Sequence, residues 1–374
     1  MDPRPLPVVA APKAAPLDAA AAAALGLAPR GRARAQGMLD TFGRAHDYLR
    51  ISVTERCYLR CTYCMPEHGV PLLARDHLLT FEEIERLATL FVGLGVRKIR
   101  LTGGEPLVRR DIDALVARIG ALKAHGLQRL GMTSNALLLE EHLEALRAAG
   151  VDALNLSLDT LRPDRFRAIT LRDGCEETVR AIRAAAAAGF ARVKVNAVAM
   201  RGVNEDELVA LARAFARELP IEVRYIEYMP FEGNTWGDGK RMLAAAEIRS
   251  LLERELQLFP LGLEETAQRY QVADGGARWP GRVGIIASMT EPFCGTCNRT
   301  RLTADGHFRW CLLDEGELDL RGPMRAGASD ADLVALIEQG LQRKKAGHAP
   351  AAELIALQKA AGPDHARSMI RIGG

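Results

Sequence analysis

Arg50-Ile51-Ser52-Val53-Thr54-Glu55-Arg56-Cys57-Tyr58-Leu59-Arg60-Cys61-Thr62-Tyr63-Cys64 is a β-rich run that opens directly onto three cysteines. The spacing, C-x3-C-x2-C, crowds Cys57, Cys61 and Cys64 onto one short loop. Structural zinc normally takes four ligands, whereas three thiolates can hold three corners of a cubane cluster and leave one iron open. Zinc stays an alternative because His68 is close in sequence. To serve as the fourth ligand it would need the Met65-Pro66-Glu67-His68 turn to fold straight back.

The run is the first of six. β-rich stretches recur at Leu49–Val53, Lys98–Thr102, Arg129–Thr133, Ala153–Leu158, Val193–Met200 and Ile221–Tyr228. Between them Phe81–Leu94, Ile112–Lys123, Glu141–Ala149, Glu176–Ala188 and Glu205–Arg217 carry apolar residues at helical spacing. Thr80 with Glu83 predicts a capping box, and Gly126, Gly150 and Gly189 fall where helices should stop. The alternation implies an α/β fold with a parallel sheet and right-handed crossovers. Six units are too few for a complete eight-stranded barrel, so the expected architecture is a partial TIM-type barrel. A closed doubly wound sheet also fits the periodicity. The unusual residues follow strand ends, where such folds keep their chemistry: the cysteine triplet, then Gly103-Gly104-Glu105-Pro106, Ser134-Asn135 and Asp159.

After Pro230 this rhythm stops. Leu243–Leu256 and Asp330–Arg343 read as helices, and Val283–Ser288 and Thr300–Leu313 as strands, with a hairpin turn at Asp305-Gly306. Three regions result: an Ala/Pro-rich extension over 1–45, expected to be disordered; a βα region over 46–231; and a mixed α+β region over 232–374. A net charge of +3 on 374 residues excludes a general affinity for nucleic acid or anionic membrane. No apolar stretch reaches membrane-spanning length, and a cytoplasmic location is expected. Cys175 reads as a small apolar filler.

The remaining cysteines form a second triplet, Cys294-Gly295-Thr296-Cys297 and Cys311. A zinc ribbon completed by His307 is one reading. The other is a second open cluster beside a substrate anion, because Arg299 and Arg301 follow at once and alternation points them the same way. Arg50, Arg100, Lys194 and Arg224 lie inside apolar strands, where a lone charge is costly. They could pair with Glu222, Glu227 or Asp159, but four cations on different strands suit a bound polyanion better.

The first triplet with Tyr63 as its aromatic, joined to Gly103-Gly104-Glu105-Pro106 after the second strand, resembles the signature of the radical S-adenosylmethionine superfamily. With Phe293–Leu302, Arg50–Thr54 and the terminal Ile372-Gly373-Gly374, the chain from about Arg44 onward resembles the GTP 3′,8-cyclase family, lyases of molybdenum cofactor biosynthesis. The resemblance implies a 4Fe-4S cluster on Cys57, Cys61 and Cys64 whose free iron takes S-adenosylmethionine, lined by Tyr63, Gly104, Ser157 and Met229. It implies a second 4Fe-4S cluster on Cys294, Cys297 and Cys311 facing the guanine of GTP. Arg50, Arg100, Thr133, Lys194, Arg299, Thr300 and Arg301 would contact GTP, with Lys98 and Arg224 as further candidates. Gly373 and Gly374 would reach into the active site.

The implied reaction is reductive cleavage of S-adenosylmethionine, removal of the 3′ hydrogen of GTP by the 5′-deoxyadenosyl radical, and attack of the ribose carbon on guanine C8. An external electron donor, a homodimer and a downstream cyclic pyranopterin monophosphate synthase are implied with it. Two departures stand out: the extension, and Thr133-Ser134-Asn135-Ala136 where the family has Thr-Thr-Asn-Gly, which predicts an altered turn. Rival readings are another two-cluster radical enzyme acting on a peptide or a different nucleotide, and a non-catalytic zinc protein that binds nucleic acid.

Overall fold

The computed structural model describes residues 37–374 except 67, 230, 232–239, 355, 357–368 and 374. Most of the N-terminal extension and Gly374 therefore lie outside the described residues.

Alternation within the strands decides which face each side chain takes. The strands are β1 Tyr48–Ser52, β2 Lys98–Thr102, β3 Arg129–Ser134, β4 Ala153–Ser157, β5 Arg192–Ala199, β6 Glu222–Glu227, β7 Gln257–Glu264, β8 Ala267–Asp274, β9 Ala277–Ile286, β10 Arg299–Leu302, β11 His307–Arg309 and β12 Glu317–Asp319. They join one sheet in the order β12-β11-β10-β1-β2-β3-β4-β5-β6-β9-β8-β7. Every pairing from β10 through β9 is parallel, and the outer strands on both flanks are antiparallel.

One face is apolar. Leu49, Ile51, Ile99, Leu101, Leu130, Met132, Leu154, Leu156, Val195 and Val223 are fully buried there. They sit beneath helices α1 Phe81–Gly93, α2 Ile112–Ala121, α3 Leu139–Ala148, α4 Pro163–Thr170, α5 Cys175–Ala187 and α6 Leu208–Ala216. In α1 the residues turned inward are Ile84, Leu87, Ala88 and Phe91, the stripe its spacing predicts. Each such fully buried side chain contributes about 1.5–3 kcal/mol. Thr80 and Glu83 form the expected capping box.

The other face is polar. Strand register lines up Arg301, Arg50, Arg100 and Gly131 in one row across β10, β1, β2 and β3. A second row holds Thr133, Asn155, Lys194 and Glu222 across β3 to β6. A doubly wound sheet buries two apolar faces under helices, so this polarity rules that alternative out. The sheet also curls toward its polar side. Glu265, in the β7–β8 turn, forms an ion pair with Lys98 of β2, although five strands separate β8 from β2 in the sheet order.

Several expectations change. The Glu205–Arg217 helix starts as a 3-10 turn over Glu205–Glu207 before α6. The strands expected over Thr300–Leu313 form the hairpin expected around Asp305-Gly306, but are short, β10 over Arg299–Leu302 and β11 over His307–Arg309. The β7–β8 hairpin and α4 carry no clear periodicity and escape the sequence reading. The region after residue 232 continues the same sheet: β9 extends it in parallel beside β6, and β10 beside β1. No described helix is long and apolar enough to cross a membrane.

Candidate active site

The first cysteine loop leaves β1 and is tied down by backbone. Arg60 N donates to Thr170 O at 2.8 Å and Thr62 N to Ile169 O at 2.9 Å, both at the end of α4. Cys64 N donates to Cys61 O at 2.9 Å, closing the turn. The Gly103-Gly104 pair exists because backbone passes over backbone there. A Cβ on Gly104 would lie 2.4 Å from Arg56 O, and one on Gly103 2.5 Å from Thr54 O. Glu105, buried beneath, accepts from Leu107 N (3.1 Å), Ser134 Oγ (2.9 Å) and Asn135 N (2.6 Å). Asn135 Nδ2 in turn points at Cys57 Sγ, 3.7 Å away.

Burial pushes the Cys57 thiol up to about 11 and Cys64 up to about 12, and burial with Cys64, Asp159 and Cys57 nearby holds Cys61 well above its ordinary value. Three bare thiolates are therefore unstable together here, and a cationic inorganic group would make them compatible. Three thiolates on one loop can each take a separate iron of a cubane, whereas structural zinc normally takes four ligands. His68, the would-be fourth ligand, is exposed. The donor set suits a cluster.

Tyr63, Gly104, Ser157 and Met229 all lie at the C-terminal end of the parallel strands, on or after β1, β2, β4 and β6. Tyr63 is fixed by its hydroxyl, which donates to Asp159 Oδ2 at 2.8 Å. Asp159 also accepts from Val198 N at 2.8 Å, and burial pushes its carboxyl up to about 6. The Thr133–Ala136 departure puts a residue with a Cβ at a positive φ. Ala136 adopts φ 68°, with its N–H on Ser134 Oγ at 2.9 Å.

The second triplet lies at the opposite end of the sheet. Cys297 precedes β10, which runs parallel to β1, and Cys311 follows the antiparallel β11, so both sit where the parallel strands begin. The rule that places chemistry at strand C-termini misses this. Arg44 straps the loop, its guanidinium donating to Cys294 O (2.7 Å), Ala346 O (2.7 Å) and Lys345 O (2.6 Å). Burial works to raise the Cys297 thiol, but Lys344, Arg299 and Arg44 together bring it below its ordinary value. His307, the fourth ligand a zinc ribbon would use, lies with its ring 3.2 Å from Asp305 and 3.9 Å from Glu317.

Between the two triplets stands the polar face. Arg100, 1% exposed, donates from Nε to Tyr48 Oη at 2.8 Å and from Nη1 to Met132 O at 2.9 Å. Gly131 makes room for it, since a Cβ there would come within 3.0 Å of the guanidinium. Burial, with Arg100 and Arg299 nearby, holds Arg50 down to about 10, and burial with Arg50 and Arg299 holds Arg301 well below its ordinary value. Lys194, buried beside Arg224, is held down to about 8. Of the expected carboxylate partners only Glu222 serves, binding Arg224 and Arg269. Glu227 instead accepts backbone N–H groups of Ala245, Met289 and Thr290, and Asp159 holds Tyr63. Thr133 Oγ1, Asn155 Oδ1, Asn196 Oδ1 and Arg224 Nη2 are buried on this face without a hydrogen-bond partner among the described residues. Such orphans need a polar ligand or water.

Arg299 stacks on Phe293 at 4.7 Å, and Arg301 Nη1 donates to Gly373 O at 3.1 Å. Thr300 is different: fully buried beside Leu49, its side chain takes the apolar face, so only its backbone could touch a ligand on the polar one. Gly373 has φ 78°, and a Cβ there would lie 2.8 Å from Thr102 Oγ1 and 3.0 Å from Ser52 Cβ. The tail thus ends against the last residues of β1 and β2. Cys175 is buried, with Sγ 3.7 Å from Thr160 O, as an apolar filler would be. Sequence reading missed Tyr48, Asn155, Asn196 and Glu265; for the asparagines a polar residue alternating with leucine or valine was the available signal.

Two family models match the chain: the radical SAM superfamily over residues 51–215 and Molybdenum Cofactor Synthesis C over 221–350. "Molybdenum cofactor biosynthesis protein 1" of Drosophila melanogaster is 50% identical over 318 residues, 84% of this chain and 55% of that protein. The chain spans about half the length of several curated relatives. "GTP 3′,8-cyclase, mitochondrial" of Arabidopsis thaliana is 45% identical over 343 residues, 90% of this chain and 83% of that one. The crystal structure of Streptococcus suis SuiB bound to S-adenosylmethionine shares the fold, with TM-score 0.53 at 16% identity over 79% of this chain and 68% of SuiB. With that superfamily come a 4Fe-4S cluster and S-adenosylmethionine. The chain belongs to the GTP 3′,8-cyclase family of the radical S-adenosylmethionine superfamily.

Proposed function

We propose that this chain cyclises GTP to (8S)-3′,8-cyclo-7,8-dihydroguanosine 5′-triphosphate, the opening step of molybdenum cofactor biosynthesis. The observation that carries this reading is the cation-lined polar face, with its orphaned buried polar atoms, between two three-cysteine loops at opposite ends of the sheet. Cys57, Cys61 and Cys64 hold the first 4Fe-4S cluster, and Cys294, Cys297 and Cys311 a second. With S-adenosylmethionine bound, the first cluster supplies reductive radical chemistry.

The protein's part is binding, aim and exclusion of water. Tyr63, Gly104, Ser157 and Met229 line the cofactor. Arg50, Arg100, Lys194, Arg299 and Arg301, helped by Lys98 and Arg224, hold the triphosphate, and Thr133 and the Thr300 backbone touch the nucleotide. Gly373 O fixes the Arg301 guanidinium. The curl of the sheet and its polar inner face support a partial barrel over 46–231, with 232–374 as the region that carries the second cluster. The same reading brings an external electron donor, a homodimer and a downstream cyclic pyranopterin monophosphate synthase.

Anaerobic reconstitution should load roughly eight irons per chain from two four-iron clusters. The reduced protein should then release 5′-deoxyadenosine only when GTP is present. Zinc in place of iron, or release independent of GTP, would overturn the reading.

A further inference from the structure

The β7–β8 turn carries an odd residue for its position. Two-residue hairpin turns favour glycine or asparagine where φ is positive, yet Glu265 stands there at φ 59°. Its carboxylate reaches under the polar face and forms an ion pair with Lys98, sharing a small cavity with Arg100 and Lys194. Lys98 itself lies over the Tyr48 ring at 4.1 Å. The adjacent Glu264 is committed elsewhere, to Arg192 and Arg269. Lys98, Lys194 and Arg224 together hold the Glu265 carboxyl down to about 2, against the effect of burial, so it is fully ionised at neutral pH. A chain that accepts backbone strain to bring one carboxylate to a cation cluster is using that charge.

We propose that Glu265 is a resident counter-ion of the Lys98–Lys194 pair that competes with the phosphates of the substrate. The proposal rests on the reading of this face as the triphosphate site. Buried cations without compensation would destabilise the empty fold, and Glu265 supplies that compensation. A polyphosphate arriving at the same cations meets a fixed like charge, so its affinity is tempered. That matters because the cyclised product keeps its triphosphate: binding strength shared equally by substrate and product would slow release without speeding chemistry.

The test compares wild type and Glu265→Gln, both reconstituted, by calorimetric titration with guanosine, GTP and inorganic tripolyphosphate. Glu265→Gln should bind GTP and tripolyphosphate about tenfold more tightly, a gain of about 1.4 kcal/mol, with guanosine unchanged. Its kcat should fall along with its KM as product release slows. A merely structural glutamate would give weaker binding on removal. Glu265→Gly, which also relieves the turn, must reproduce the gain; a gain in Glu265→Gly alone would assign the effect to backbone strain and overturn the proposal. Unchanged or weaker tripolyphosphate binding by Glu265→Gln, while wild type binds GTP, overturns it too and leaves the cyclase reading intact. Tighter tripolyphosphate binding by Glu265→Gln in a protein that binds no GTP would sink the nucleotide reading and keep the counter-ion.

Discussion

Lys194 is the residue whose charge the fold leaves adjustable near physiological pH. Burial and the neighbouring Arg224 hold its ammonium down to about 8, opposed by Glu265 and Glu222. The protonated form is present below that value and lost as pH rises through it. If the ammonium holds phosphate, GTP affinity falls as pH climbs from 8, by up to about tenfold per unit. Lys194→Arg keeps its charge throughout and should flatten the profile; titrations between pH 7 and 10 compare the two. At the other end of the face, Gly373→Ala sets a methyl group against Thr102 and Ser52 in a backbone conformation that disfavours it. The tail must move and Arg301 loses its carbonyl acceptor. Turnover should fall by about a hundredfold with iron content unchanged, which activity and metal analysis on one preparation would show.

At the scale of elements, two loops are held in different ways. The first cysteine loop is anchored by backbone hydrogen bonds to the end of α4, with the Arg60 guanidinium bracing Cys57 O and Leu59 O. The second is strapped from outside by Arg44, which reaches Cys294, Lys345 and Ala346 while Asp40 holds its other edge at 2.6 Å. Arg44→Ala leaves three carbonyls without that donor and frees the loop. Iron after reconstitution should drop from roughly eight toward four, and GTP-dependent release of 5′-deoxyadenosine should be lost. Full iron loading in that variant would show that the cysteines hold the loop by themselves.

For the whole molecule, the sheet ignores the boundary near residue 232. β10 covers the β1 edge and β9 covers the β6 edge, so residues 46–231 alone would expose two long apolar parallel edges. Expressed separately, that segment should aggregate, and co-expression with 232–374 should restore solubility. A soluble, cooperatively unfolding 46–231 fragment would contradict this account. The same continuity puts both cysteine triplets on one rigid scaffold, with the cation rows of β10, β1 and β2 between them.

Much of this was readable along the chain. The six central strands, the α1 cap, the face on which Arg299 and Arg301 point, and the grouping of cysteines follow from alternation, helical spacing and ligand count, all of which are local. Ala136 shows the limit even there, because whether an alanine will take positive φ depends on what surrounds it, here Ser134 Oγ capping its N–H above a buried Glu105. Tertiary structure alone decided that β10 lies beside β1, that the second triplet faces the first across the sheet, and that Glu265 meets Lys98. Each depends on which distant strands become neighbours and how far the sheet curls. Those are set by the packing of all the helices on the apolar face, and no short stretch of sequence carries that information.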